Sequence, residues 1–125
     1  ISSNNKMILN LALSYGSRLE IVQAIRKISK KVMEKKIRLD DIDENLVGSH
    51  LFTAGLPEPD LLIRTSGEQR LSNFLLWQLA YAELYIDSDP WPEFSRQHLE
   101  RAFQDFSNRE RRYGMTSNQI RGKEK

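Results

Sequence analysis

A short apolar run, Leu61-Leu62-Ile63, follows Pro59 and Asp60 and stops at Arg64, after which nearly every residue through Asn73 is polar, charged or Gly. Three consecutive apolar residues without alternation predict a strand buried on both faces, as in a parallel sheet covered by helices. Residues 65–73 predict a loop in which Leu71 is the one apolar position, and Ser72 or Asn73 can cap a following helix. That helix is expected over 74–86. It is apolar on nearly every side and therefore buried, with Glu83 as its one charged residue. Its last residues, Leu84-Tyr85-Ile86, can instead form a further strand.

In open parallel sheets ligands gather where strands run out into such loops, and a helix that follows aims its free N–H groups and positive dipole end at the same crevice. An anion suits that place. Arg64 and Arg70 frame the loop, and guanidinium grips phosphate oxygens in a bidentate fork. With the Ser72 hydroxyl the donors add up to a diphosphate-sized cradle. Glu83, as a carboxylate in an apolar helix, needs a cation, supplied either by an arginine elsewhere or by a metal ion. Plainer readings stand beside these. Arg64 can be a surface ion-pair residue, Glu68 and Arg70 can pair with each other across the loop, Ser72 can be a cap, and Glu83 a core carboxylate.

The rest of the chain frames that loop. Residues 6–13 predict a buried strand, turned by Gly16 into an amphipathic helix from Ser17 in which Ile21, Ile25, Ile28 and Val32 recur at helical spacing. The lysines at 27, 30, 31, 35 and 36 form its solvated face. A second, shorter helix is expected over 40–51, with Asp40 or Asp41 near its start and Ile42, Leu46 and Val47 inward. His50 has no second histidine nearby and offers no zinc spacing. Residues 87–92 read as a turn, and Trp91 and Phe94 return to the core. A last amphipathic helix, capped by Ser95, carries Leu99, Ala102, Phe103 and Phe106, and Arg109, Arg111 and Arg112 follow at its negative end.

With no cysteine, 39% hydrophobic residues, 29% charged and a net charge of +2, the 125 residues describe a soluble cytoplasmic protein. So small a net charge calls for no nucleic-acid partner, and no segment is apolar for long enough to span a membrane. No targeting segment is expected at the start.

The ordered strings Ile-Arg-Thr-Ser-Gly-Glu at 63–68 and Arg-Leu-Ser-Asn-Phe-Leu-Leu-Trp-Gln-Leu-Ala-Tyr-Ala-Glu-Leu at 70–84 resemble the signature of the cis-prenyltransferases. Tyr15-Gly16-Ser17-Arg18 and Trp91-Pro92-Glu93-Phe94 are similar to two further family segments, in family order. The resemblance covers residues 6–114 but matches only the C-terminal half of the family. It lacks the N-terminal Asp-Gly-Asn-Gly-Arg-type segment with the catalytic aspartate and the allylic diphosphate site, so no catalytic residue is assigned in this chain.

The resemblance implies an α/β fold, part of a parallel-sheet domain with flanking helices. Residues 1–115 would be the C-terminal half of a single prenyltransferase domain, and 116–125 a polar, mobile tail. The implied reaction condenses isopentenyl diphosphate onto an allylic diphosphate such as farnesyl diphosphate, losing pyrophosphate and creating a cis double bond in a polyprenyl product. Arg64, Arg70, Ser72 and the backbone at Leu71 would hold the isopentenyl diphosphate, Glu68 would support them, and Glu83 would help bind Mg²⁺ together with the catalytic aspartate of the family's N-terminal half. Gln69 stands where many members have a metal-proximal histidine and can offer its amide oxygen. The family also implies a homodimer, with the segments after Phe74 and Ser95 as candidate interface, and a place beside the membrane that receives the product. Two alternatives are a non-catalytic partner subunit of a prenyltransferase and an unrelated phosphate- or RNA-binding module.

Overall fold

Good helix formers with apolar residues at helical spacing produce the long helix α1, Ser17–Met33. The computed structural model describes residues 7–109 and divides the chain into two compact units, 1–52 and 53–125. In the first unit Gly16 is the N-cap of α1 in an extended conformation. At the other end Lys36 N donates to Lys31 O and Lys35 N to Val32 O, both over 2.9 Å, with Lys35 at φ 55°. This is a Schellman closure with Lys in the left-handed position that glycine usually fills. Ser17, Glu20, Ala24 and Ile28 form the buried line of α1, while Ile25 of the predicted apolar set is exposed, as are its neighbours Leu19 and Val22.

The expected second helix is broken in two. Leu39–Asp41 makes a 3₁₀ turn, and α2, Glu44–Gly48, packs against α1. Asp43, two or three residues later than the predicted aspartates, caps α2 by accepting from Leu46 N at 2.7 Å. His50 is a local bridge. It donates from Nδ1 to Leu46 O and accepts from Lys31 Nζ at Nε2, both at 2.7 Å. The polar centre of this unit is Glu20, which is fully buried and accepts from Phe52 N at 2.6 Å and from the Tyr15 hydroxyl.

The strand expected over 6–13 does not form. Lys6 lies outside the described residues, and 7–13 have no regular structure; Met7, Ile8, Leu9, Leu11 and Leu13 are exposed. No described strand pairs with them, and without a ladder an apolar segment has nothing to bury against.

In the second unit β1, Leu61–Arg64, pairs in parallel with β2, Glu83–Ile86, in the register Leu61↔Glu83 to Arg64↔Ile86. The parallel sheet with flanking helices is the predicted fold class. Parallel strands need a long crossover, here residues 65–82, and the predicted helix over 74–86 is absent from it. Ser72, Asn73 and Leu75 take φ of 50°, 61° and 45°, outside the helical region, and a run of turns follows to the start of β2. Neither Ser72 nor Asn73 therefore caps a helix.

The turn at 87–92 forms as expected and leads through a 3₁₀ turn, Trp91–Glu93, into α3, Arg96–Ser107, capped by Ser95. Trp91 does not reach the core. It is 71% exposed and stacks on half-buried Phe94 with ring centroids 5.7 Å apart. Phe103 is also exposed, and Ala102 is the buried anchor of α3. Buried His98 accepts at Nδ1 from Ser95 N at 3.0 Å and donates from Nε2 to Asp89 Oδ2 at 2.7 Å. That bond holds the Asp89 carboxyl below the ordinary aspartate range, against a smaller opposing effect of burial.

Two outcomes follow. Glu20→Ala leaves the Phe52 amide and the Tyr15 hydroxyl without this acceptor and should cost about 2–4 kcal/mol in denaturant unfolding, against a smaller loss for Glu20→Gln. For Asp89, a depressed carboxyl stabilises the fold above the ordinary value near ~4 and stops doing so as pH falls through the depressed one. Thermal midpoints of the unaltered chain should therefore drop more steeply below about pH 4 than those of Asp89→Asn.

Candidate functional site

Both strands of a parallel pair run out at the same edge, so Arg64 and Ile86 stand together where the loop leaves β1. The loop begins with a tight turn in which Ser66 and Gly67 both sit at φ 64° and Glu68 N reaches back to Thr65 O at 3.4 Å. Two successive left-handed residues give a type I′-like turn, which glycine favours. Ser66 N donates to Asp89 O at 2.9 Å and Gly67 N to Asp87 O at 2.8 Å, while Asp87 N donates to Arg64 O at 2.8 Å. These amides are therefore used in fastening the loop to the turn after β2, and donors for a ligand must come from side chains and from the later backbone.

Arg64 is the most informative of them. It is half-buried at the end of β1, and its Nε is buried without a hydrogen-bond partner among the described residues. An unmade bond of this kind costs about 1–3 kcal/mol unless an acceptor arrives. Arg70 lies on the exposed part of the loop and is ion-paired with Glu68, as the plainer reading expects. Ser72, Leu71 and Gln69 are also exposed, and Leu71 O accepts from Phe74 N at 3.0 Å. The loop thus holds Arg64, Glu68, Gln69, Arg70, Leu71 and Ser72 on one continuous segment, without the helix N-terminus expected behind it.

Glu83 stands apart. It opens β2 at the edge opposite the loop, opposite Leu61, roughly 10 Å along the strand from Ile86 at ~3.3 Å per residue. Its Oε2 accepts from Arg109 Nη1 at 3.1 Å; the same arginine donates to Leu84 O at 2.9 Å and pairs with Asp105 at 2.5 Å. The bond to Glu83 raises the Arg109 pKa, with Asp105 acting in the same direction against burial. The arginine allowed for by the plainer reading of Glu83 is thus Arg109, which lies just past the Asn108 C-cap of α3; Arg111 and Arg112 lie outside the described residues, as does the tail at 116–125. Glu83 and Gln69 do not fit a magnesium site by themselves. One carboxylate already held by an arginine and one exposed amide fall short of the oxygen set a hard cation requires.

Sequence reading missed His98 and its link to Asp89. The available signal is its place three residues after the Ser95 cap, where a capping box normally carries Glu or Gln. Asp87, Asp89 and His98 bring one donor atom each within 4.8 Å of one another.

The prenyltransferase family model described as "Putative undecaprenyl diphosphate synthase" matches residues 1–114. An isoprenyl transferase of Geobacter sulfurreducens is 56% identical over 119 residues, covering 95% of this chain and 48% of the relative. A farnesyl-diphosphate-specific ditrans,polycis-undecaprenyl-diphosphate synthase of Xylella fastidiosa is 48% identical over 124 residues, covering 98% of this chain and 49% of the relative. Among solved structures, lavandulyl diphosphate synthase from Lavandula x intermedia, in complex with dimethylallyl diphosphate, superposes with a TM-score of 0.79 at 46% identity. That superposition covers 82% of this chain and 44% of the other. A probable undecaprenyl diphosphate synthase from Campylobacter jejuni gives a TM-score of 0.64 at 39% identity, covering 82% and 45%. The chain spans about half the length of the curated relatives it matches. With a family match over nearly its whole length and relatives of this identity, the chain belongs to the cis-prenyltransferase family of isoprenyl transferases and undecaprenyl diphosphate synthases.

Proposed function

We propose that this chain supplies the isopentenyl diphosphate side of a cis-prenyltransferase site, with the loop after β1 as the diphosphate holder. The observation that carries the reading is Arg64, a guanidinium at the carboxyl end of a parallel strand whose buried Nε has no acceptor among the described residues. A diphosphate oxygen supplies one. Arg70 then turns from Glu68 to the ligand at small cost, because that ion pair is exposed and such pairs are worth about 0–1 kcal/mol. The Ser72 hydroxyl and the backbone near Leu71 add neutral donors, and Glu68 keeps Arg70 oriented until a ligand arrives.

The reaction so supported is condensation of isopentenyl diphosphate with an allylic diphosphate, for which farnesyl diphosphate is the candidate. The allylic carbon–oxygen bond breaks and pyrophosphate leaves with its electron pair. The terminal alkene carbon of isopentenyl diphosphate bonds to that allylic carbon, and loss of a proton leaves a cis double bond in the longer chain. The contribution of these residues is orientation: holding the diphosphate fixes the alkene within reach of the electron-poor carbon. In this reading the acid–base groups and the allylic site come from the N-terminal segment of the family that the resemblance does not include. Magnesium is the proposed companion of the diphosphates, but no step is assigned to it. A homodimer and a place beside a membrane belong to the same reading; no helix among the described residues is long and apolar enough to cross a membrane.

Calorimetric titration with isopentenyl diphosphate tests this. Arg64→Ala and Arg70→Ala should each weaken binding by on the order of ten-fold or more, equivalent to one lost charge-assisted bond. Arg70→Ala should leave the unfolding free energy within about 1 kcal/mol. Wild-type affinity in both variants overturns the assignment. Glu83→Gln should leave the affinity unchanged and lower stability by about 1 kcal/mol or less, since its ion pair with Arg109 is about 30% exposed on both sides. A loss of affinity in that variant would move Glu83 into the site.

A further inference from the structure

We propose that His98, acting through Asp89, is a positioning residue that sets the conformation of the diphosphate loop; this rests on the reading of that loop given above. The connection runs through five hydrogen bonds. Ser66 N and Gly67 N donate to the carbonyls of Asp89 and Asp87 at 2.9 and 2.8 Å, so the left-handed turn between Arg64 and Glu68 is held from the other strand's exit. The position of those carbonyls depends on the turn that bears them. Asp89 N donates to Asp87 Oδ1 at 2.9 Å, and Asp89 Oδ2 accepts from His98 Nε2 at 2.7 Å. His98 is in turn oriented by Ser95 N, which donates to its Nδ1 at 3.0 Å.

The chemistry fixes the roles. A backbone amide can only donate, so Nδ1 is an acceptor and the ring proton sits on Nε2, where it is given to Asp89. This also decides between a brace and a metal site. The Asp87, Asp89 and His98 donor atoms lie close enough for an ion, but Nε2 has no lone pair in this tautomer, which leaves two carboxylates, one of them already paired with the ring. Two of its three members are sheltered, Asp87 at 6% and His98 at 9% exposure, while the Asp89 side chain between them is 45% exposed. It lies outside the ligand-holding set, since its carboxylates cannot donate to an anion and its one ring proton is already given to Asp89.

A pair of variants separates this role from mere capping of α3. Gln and Glu at position 98 can each accept from the Ser95 amide in the ordinary capping-box manner, but only Gln keeps a proton for Asp89. In the full chain, His98→Glu should speed hydrogen exchange at the Ser66 and Gly67 amides and weaken isopentenyl diphosphate binding on the order of ten-fold, the scale expected of a slightly misplaced site. His98→Gln should restore both, with the same helical circular dichroism in the two variants, and Asp89→Ala should reproduce the His98→Glu result. Wild-type exchange and affinity in His98→Glu, while Arg70→Ala has lost binding, overturn the positioning role alone. Unaltered affinity in both Arg64→Ala and Arg70→Ala overturns the reading of the loop and this inference with it.

Discussion

The parallel pairing of β1 with β2 decides where everything else in the second unit can stand. Its register puts Leu61 beside Glu83 at one edge and Arg64 beside Ile86 at the other. The ladder then continues past the strands, because Arg64 O takes the Asp87 amide and Asp87 O takes the Gly67 amide. The two chain exits are thereby joined by the same kind of bond that joins the strands. The loop is anchored by its backbone and leaves its side chains to chemistry. The same register places Glu83 at the opposite edge, which is why it satisfies its charge with Arg109 and not with a group of the loop.

The two arginines of the loop are prepared in different ways. Arg70 is exposed and holds Glu68, an interaction of small net worth in water. Arg64 has a buried Nε with an unmade bond, a local penalty that a bound oxygen removes. One donor is preset and short of an acceptor, while the other is parked on a neighbouring carboxylate. In the proposed site an anion would gain from both without requiring the backbone to move, since the turn at Ser66 and Gly67 is already tied. Preorganisation of this kind reduces the ordering cost of binding.

Local signals in the sequence were sufficient for β1, for α1 from Ser17, for the cap at Ser95 and for the polar character of the loop, because each rests on spacing or on a capping residue. The segment 74–86 was misread for a definite reason. An all-apolar stretch looks the same whether it forms a buried helix or a run of turns ending in a buried strand, and periodicity alone does not separate them. The left-handed conformations of Ser72, Asn73 and Leu75 tip the choice, and only Asn73 hints at this from its residue type. Trp91 was placed in the core on hydrophobicity, yet it covers Phe94 from the solvent side. The pairings of Arg109 with Glu83 and of His98 with Asp89 join residues distant in sequence, and no local pattern reports them. The family string singles out Arg64, Arg70 and Ser72 together, and the structure carries them on one continuous loop without the helix expected behind it.

The polar and apolar parts of this chain differ in how far they are satisfied. The loop closes its own hydrogen bonds within a short span, from Asp60 O accepting Glu83 N at one edge to Ser66 and Gly67 at the other. The apolar side chains do not. Leu9, Leu11 and Leu13 are each more than 70% exposed in the first unit, and Ile25 and Met33 line an open groove with Arg26, Ser29, Lys30 and Glu34. A sheet of two strands is also marginal as a core. Hydrogen bonds can be completed by near neighbours, whereas burial of this much apolar surface needs another layer. Under the proposed reading the same line runs between the substrates' parts: the diphosphate would take a few fixed donors, which the loop offers, and the hydrocarbon would need extended apolar walls.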